Sequence, residues 1–141
     1  MKNATGLLIL LTLLSLENLS SQIRITYLDL QNQEIKIKNL GDTAVNVSAF
    51  SLCQNATSIL LDTSATDLVI ISGSDFDSIP SNGFVLFTWP ELDSAIGDIW
   101  ISEVHNFCDD TSLFVDYVQY GDSAQYRESQ AVEISAWMQG T

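Results

Sequence analysis

Leu113-Phe114-Val115-Asp116-Tyr117-Val118-Gln119-Tyr120-Gly121 is the longest unbroken run of strand-favouring residues in the C-terminal third of the chain. Aromatic and β-branched residues dominate it, because their stiff, bulky side chains pack well on a pleated surface. Gly121-Asp122-Ser123 stops it. Both alternating sets carry apolar groups: Leu113, Val115 and Tyr117 in one, Phe114, Val118 and Tyr120 in the other. A strand apolar on both faces is expected in the middle of a sheet. Asp116 is the exception, since a shielded carboxylate needs a cation or several donors.

Working outward from this run, the same signals recur at short intervals. Phe84-Val85-Leu86-Phe87-Thr88-Trp89 reads as a buried strand that Pro90 ends, and Asp98-Ile99-Trp100-Ile101 as another. Ile59-Leu60-Leu61 and Leu68-Val69-Ile70-Ile71 are short apolar runs, and 73–83 is a polar connection holding Pro80. Glu34-Ile35-Lys36-Ile37-Lys38 is the cleanest two-residue alternation in the chain. Ile23-Arg24-Ile25-Thr26-Tyr27 alternates as well, and Gln31-Asn32-Gln33 is a natural hairpin connection between the two. Leu40-Gly41-Asp42 makes the next turn. Val45 and Val47 share one parity, Phe50 and Leu52 the other, so a bulge or bend near Ser48-Ala49 would bring all four to one side. Residues 123–137 read either as an irregular loop or as one helical turn around Arg127-Glu128-Ser129.

Many short strands with turns between them predict an all-β antiparallel sandwich over most of 22–121. A length of 141 residues suits one domain of ordinary size. The formal net charge is -13. That charge repels nucleic acid, whose phosphates call for Lys/Arg patches, and it opposes adhesion to anionic lipid. Cationic partners, divalent metals and uncharged ligands stay open.

The N-terminus reads as a signal for export. Lys2 precedes the apolar run Gly6 to Leu16, GLLILLTLLSL, which is too short for stable membrane insertion as a spanning helix. Small polar residues follow, and cleavage is expected near Ser21, giving a secreted or cell-surface protein that starts at Gln22. Removing Lys2 and Glu17 together leaves the charge unchanged.

Chemistry-bearing motifs are scarce in the sequence. A Ser-His-Asp arrangement would have to use His105, the one histidine, and no Gly-x-Ser-x-Gly elbow or phosphate loop accompanies it. The pairs Asp75/Asp77, Asp93/Asp98 and Asp109/Asp110 read as solvated loop acids in a chain this acidic. No catalytic residue and no cofactor is therefore expected. Cys53, His105 and Cys108, with Asp109 or Asp110 as fourth ligand, have the residue types of a zinc site. A Cys53–Cys108 disulfide is the commoner outcome in an exported chain, and a buried free pair is the third reading. The loop Asp109-Asp110, with Asp116 or Asp122, has oxygen ligands suited to calcium but no recognised spacing. The Asn-x-Ser/Thr triplets at Asn46 and Asn55 matter only in a eukaryotic secretory pathway. For Asp116 the expected partner is Arg127, just past the turn that ends the strand, with a planar fork suited to a carboxylate.

Three stretches in order carry a resemblance. Glu34 to Cys53, EIKIKNLGDTAVNVSAFSLC, resembles the opening of lamin-tail domains, with Phe50-Ser51-Leu52 at the aromatic-Ser-Leu position. Ile79-Pro80-Ser81-Asn82-Gly83 looks like the family's Pro/Gly turn before its next strand. Asp116-Tyr117-Val118-Gln119-Tyr120-Gly121, followed by Arg127-Glu128-Ser129, is similar to the family's bacterial secreted branch. The match runs over roughly 22–138 and departs from the family where Trp is commoner, at Phe50 and Tyr120. The resemblance implies an immunoglobulin-like β-sandwich acting as a non-catalytic extracellular or cell-surface interaction module, its partner an unknown protein or cell-surface component. It also implies a last strand beyond a Trp-x-x-Gly-Thr element. Here the chain stops at Trp137-Met138-Gln139-Gly140-Thr141, so a domain lacking that strand, or a fragment, is expected. The alternative function is a carbohydrate- or calcium-binding accessory sandwich, with Trp89 or Trp100 as an exposed platform.

Overall fold

The computed structural model describes residues 22–121 apart from 56, 63, 65–66, 94–96 and 105–109. The expected export signal and everything after Gly121 lie outside the described residues. Eight strands run in chain order: β1 (Ile23–Asp29), β2 (Glu34–Asn39), β3 (Ser51–Gln54), β4 (Thr57–Leu60), β5 (Val69–Gly73), β6 (Phe84–Thr88), β7 (Gly97–Ser102) and β8 (Phe114–Tyr120). They form two antiparallel four-stranded sheets, β1-β2-β6-β5 and β4-β3-β7-β8. No α-helix occurs among the described residues. The all-β sandwich read from the strand pattern is therefore the observed fold.

The alternation of β2 sets the first sheet. Ile35 and Ile37 are fully buried, and their register partners on β6, Phe87 and Val85, are buried with them. From the second sheet Leu52, Ile99 and Ile101 join the same cluster. Side chains of this size stabilise by roughly 1.5–3 kcal/mol each when fully buried, so the shared core holds the two sheets together.

The turns follow local chemistry. Asp29 Oδ1 accepts hydrogen bonds from the backbone amides of Gln31 and Asn32, at 2.9 and 3.0 Å, and Gln33 takes a φ of 57° to reverse the chain. Further along, Val45 makes only an isolated bridge to Ile79, so no strand forms over 45–47. The chain turns at Ser48-Ala49, where Phe50 N–H donates to Val47 O at 2.8 Å. That turn delivers Val45, Val47 and Leu52 to the core with Phe50 half-buried against it, the parity change expected there.

Asn39 is a fully buried polar residue that the alternation does not announce. Its Nδ2 donates to the carbonyls of Thr43, Ile79 and Pro80, and its Oδ1 accepts from Gly41 N–H at 2.9 Å. Every polar group of the side chain is thus used, and the 40–43 turn is fastened to the 79–80 turn.

β8 is not mid-sheet: among the described residues it is the outermost strand beside β7. The strands buried from end to end are β3 and β7, the two inner strands of that sheet. The two-faced apolar pattern of β8 has another cause, since this sheet is apolar on both sides. Cys53, Trp100 and Tyr117, register neighbours across β3, β7 and β8, form a second buried cluster, with Phe114 stacked on Trp100 at 5.8 Å.

Candidate functional site

The outward face of the first sheet is where the described residues concentrate unusual chemistry. Ile35, Ile37, Val85 and Phe87 point inward, so Glu34, Lys36, Lys38, Phe84, Leu86 and Thr88 point away from the core. Register adds Arg24, Tyr27 and Asp29 from β1 and Val69 and Ser72 from β5. A bulge between Ile70 and Ser72 leaves Ile71 exposed beside them.

Four large apolar side chains on this face meet solvent: Val69 at 58 % exposure, Ile71 at 46 %, Tyr27 at 42 % and Phe84 at 37 %. Isolated exposed apolar residues are ordinary, but several on one sheet face among charged residues make it a candidate contact surface. In its midst Lys36 Nζ sits 5.4 Å from the Tyr27 ring centroid and 5.7 Å from that of Phe84. Attraction to the two ring faces holds the ammonium in place.

Charge is distributed with equal bias. The chain carries five Lys and Arg in all, and those among the described residues, Arg24, Lys36 and Lys38, all lie on β1 and β2. Arg24 curls around the sheet edge, its Nη1 donating to Val115 O at 3.1 Å and its Nε 3.9 Å from Asp116 Oδ1. Asp29, at the far end of β1, accepts from the amides of Gln31 and Asn32, from Asn32 Nδ2 and from the Tyr27 hydroxyl. These donors, Asn32 foremost, hold its carboxyl below the usual carboxylate range.

The residues singled out in the sequence do not assemble into one site. Cys53 is fully buried and disulfide-bonded, while Cys108, the only other cysteine, lies outside the described residues together with His105, Asp109 and Asp122. Asp110 is exposed and caps Ser112, whose amide and hydroxyl donate to Oδ1 at 3.0 and 2.6 Å. Asp75, Asp77 and Asp93 are exposed, whereas Asp98 is buried and accepts from the Tyr117 hydroxyl at 3.2 Å. No group of three metal-ligand side chains is found among the described residues. Asp116 accepts from Ile25 N–H and neighbours Arg24; its expected partner Arg127 lies outside the described residues. Burial, opposed by those two contacts, raises its carboxyl above the usual range.

Trp89 and Trp100 are both fully buried, so the exposed platform expected of them for a sugar does not exist. Trp89 follows β6 into the main core, and Trp100 lies in the second buried cluster, on the side of β7 away from that core. Among the described residues the exposed aromatics are Tyr27 and Phe84. The signal for Phe84 was available: it heads a strand whose buried partners are Val85 and Phe87, so alternation turns it outward.

Comparison with protein-family models, with curated proteins and with solved structures found no match.

Proposed function

We propose that this chain is a non-catalytic extracellular or cell-surface interaction module of lamin-tail type, an immunoglobulin-like sandwich that binds through the outward face of β1-β2-β6-β5. The observation that carries the reading is the set of exposed apolar side chains on this face, Tyr27 and Phe84 at the ring-clamped Lys36 and Val69 and Ile71 on β5. Such a face combines area to desolvate with a fixed cation for orientation, which is what a contact surface needs. No helix among the described residues is long and apolar enough to cross a membrane. Export with cleavage near Ser21 belongs to the same reading, and N-terminal sequencing of secreted protein tests it.

The face is tested with fluorescently labelled protein on the surface of the source cells. A Val69→Ser/Phe84→Ser variant with wild-type circular dichroism and melting temperature is expected to bind at least about tenfold more weakly, the loss of ~1.4 kcal/mol or more that two contact-surface side chains supply. Undiminished binding by that variant would remove the face from the proposal.

A further inference from the structure

Resting on that reading of the face, we propose that its partner is a second copy of this chain, packed face to face and turned end for end about a two-fold axis that crosses the strands.

Charge along the β1–β2 hairpin is sorted by sign. Arg24 stands opposite Lys38 at one end, and Asp29 stands opposite Glu34 at the other. Like charges directly opposite on antiparallel strands destabilise the pair. A hairpin serving only its own stability would place unlike charges across from one another. Here both ends carry the unfavourable arrangement, with opposite signs. Arg24 recovers part of the cost through Asp116 and Val115 of β8. The donors around Asp29 keep its end of the face negative.

A surface positive at one end and negative at the other is complementary to itself after a half-turn. In an isologous contact each residue pair occurs twice. Lys38 of one copy then faces Glu34 of the other, and Glu34 of the first faces Lys38 of the second. Phe84 comes over Thr88, while Leu86, Ile71 and Tyr27 each face their own copy near the axis. Lys36 lies near the axis too and so faces its own copy, a like-charge cost that the Tyr27 and Phe84 rings offset in part.

An acidic partner fits less well. It would meet Asp29 and Glu34 with like charge, and the chain's net -13 would repel it. A second copy carries the same net charge, but salt screens that repulsion beyond ~8 Å while the contact pairs stay close. The face spans four strands about 4.8 Å apart and about five residues along each, a few hundred Å² per copy. Stable interfaces need roughly 800 Å² per partner, so the dimer is weak and reversible.

Sedimentation equilibrium of the exported chain from ~10 μM to ~1 mM in 0.15 M salt tests this over the range of weak association. The weight-average mass is expected to climb towards the dimer. Lys38→Glu and Glu34→Lys should each weaken association at least about tenfold, or ~1.4 kcal/mol. An equimolar mixture of the two variants should restore it, since each then meets its opposite, and so should the double variant carrying both changes. Restoration also shows that neither change harmed the fold. A wild-type chain that stays monomeric overturns the second copy, as does a mixture that fails to associate when the wild type dimerises. Binding of a polyglutamate peptide by a monomeric wild type overturns it in favour of an acidic partner. A monomeric chain whose cell-surface binding still falls with Val69→Ser/Phe84→Ser overturns the second copy and leaves the face standing.

Discussion

The backbone amide of Ile25 donates to Asp116 Oδ2 at 2.6 Å, so one carboxylate of β8 ties the edge of the first sheet to the edge of the second. An edge amide with no strand beside it invites pairing with another chain. Here a side chain from the facing sheet takes it up, and Arg24 closes the same seam from β1 by donating to Val115 O.

This seam sets a pH dependence. Burial raises the Asp116 carboxyl above its ordinary value, with the Ile25 amide and Arg24 opposing. The folded state therefore holds this proton more tightly than the unfolded chain does. The contribution to stability is present below the unfolded value, about pH 4, and is lost as pH rises through the raised folded value. Asp116→Asn keeps an acceptor for Ile25 and removes the titration. Chemical denaturation at a series of pH values is expected to show wild type losing stability relative to Asp116→Asn as pH rises from about 4. Parallel curves for the two proteins would contradict this account.

A second network closes the other end of β8. Gln54 Nε2 donates to the Tyr120 hydroxyl, which donates to Asp93 O at 2.7 Å, and Asp93 N–H returns to Gln54 Oε1 at 3.0 Å. Tyr120→Phe strands the buried amide of Gln54 and should cost on the order of 1–3 kcal/mol in denaturant unfolding. Burial and the nearby Asp93 push the Tyr120 hydroxyl up to about 12. Stability conferred by the neutral hydroxyl is thus expected to decline above about pH 10, where the unfolded phenol ionises. Ultraviolet titration should show a late phenolate step that Tyr120→Phe removes.

Gly73 ends β5 with a φ of 97°, and a Cβ there would lie 2.2 Å from the backbone oxygen of Phe84. Backbone cannot swing aside as a side-chain tip can. Gly73→Ala should therefore lower stability by about 1–3 kcal/mol, read as a fall in denaturation midpoint, and loosen the β5 edge of the candidate face. An unchanged midpoint would mean that β5 is not held as described.

Pairing of Cys53 with Cys108 is the proposed disulfide. The chain-entropy view assigns roughly 4 kcal/mol to a bridge closing a loop of this length. Mass spectrometry of a non-reduced digest of the exported protein should recover the Cys53 and Cys108 peptides as one cross-linked species. Two thiols titrating in the oxidised protein would refute the pair, and bound zinc by metal analysis would favour the alternative.

How much the sequence could say depends on the range of the interaction concerned. Strict alternation in Glu34–Lys38 and the apolar runs around Phe84 and Ile99 locate β2, β6 and β7, because a strand's two faces are written in consecutive residues. The turn at Ser48-Ala49 is legible for the same reason, as a change of parity. Strand order is not local. Whether Phe114–Tyr120 lies inside or outside its sheet depends on what β7 pairs with, and on an outer face lined by Cys53 and Trp100 from strands far along the chain. The fate of the tryptophans is likewise tertiary, since burial of Trp89 and Trp100 is set by which side of each strand the rest of the fold covers. Charges that look evenly scattered along residues 24–38 become a face with opposite ends only when antiparallel register sets Arg24 against Lys38 and Asp29 against Glu34. Composition and periodicity alone determined an acidic chain of short antiparallel strands. Register, and the half of each strand left facing water, decided which side chains the first sheet presents outward.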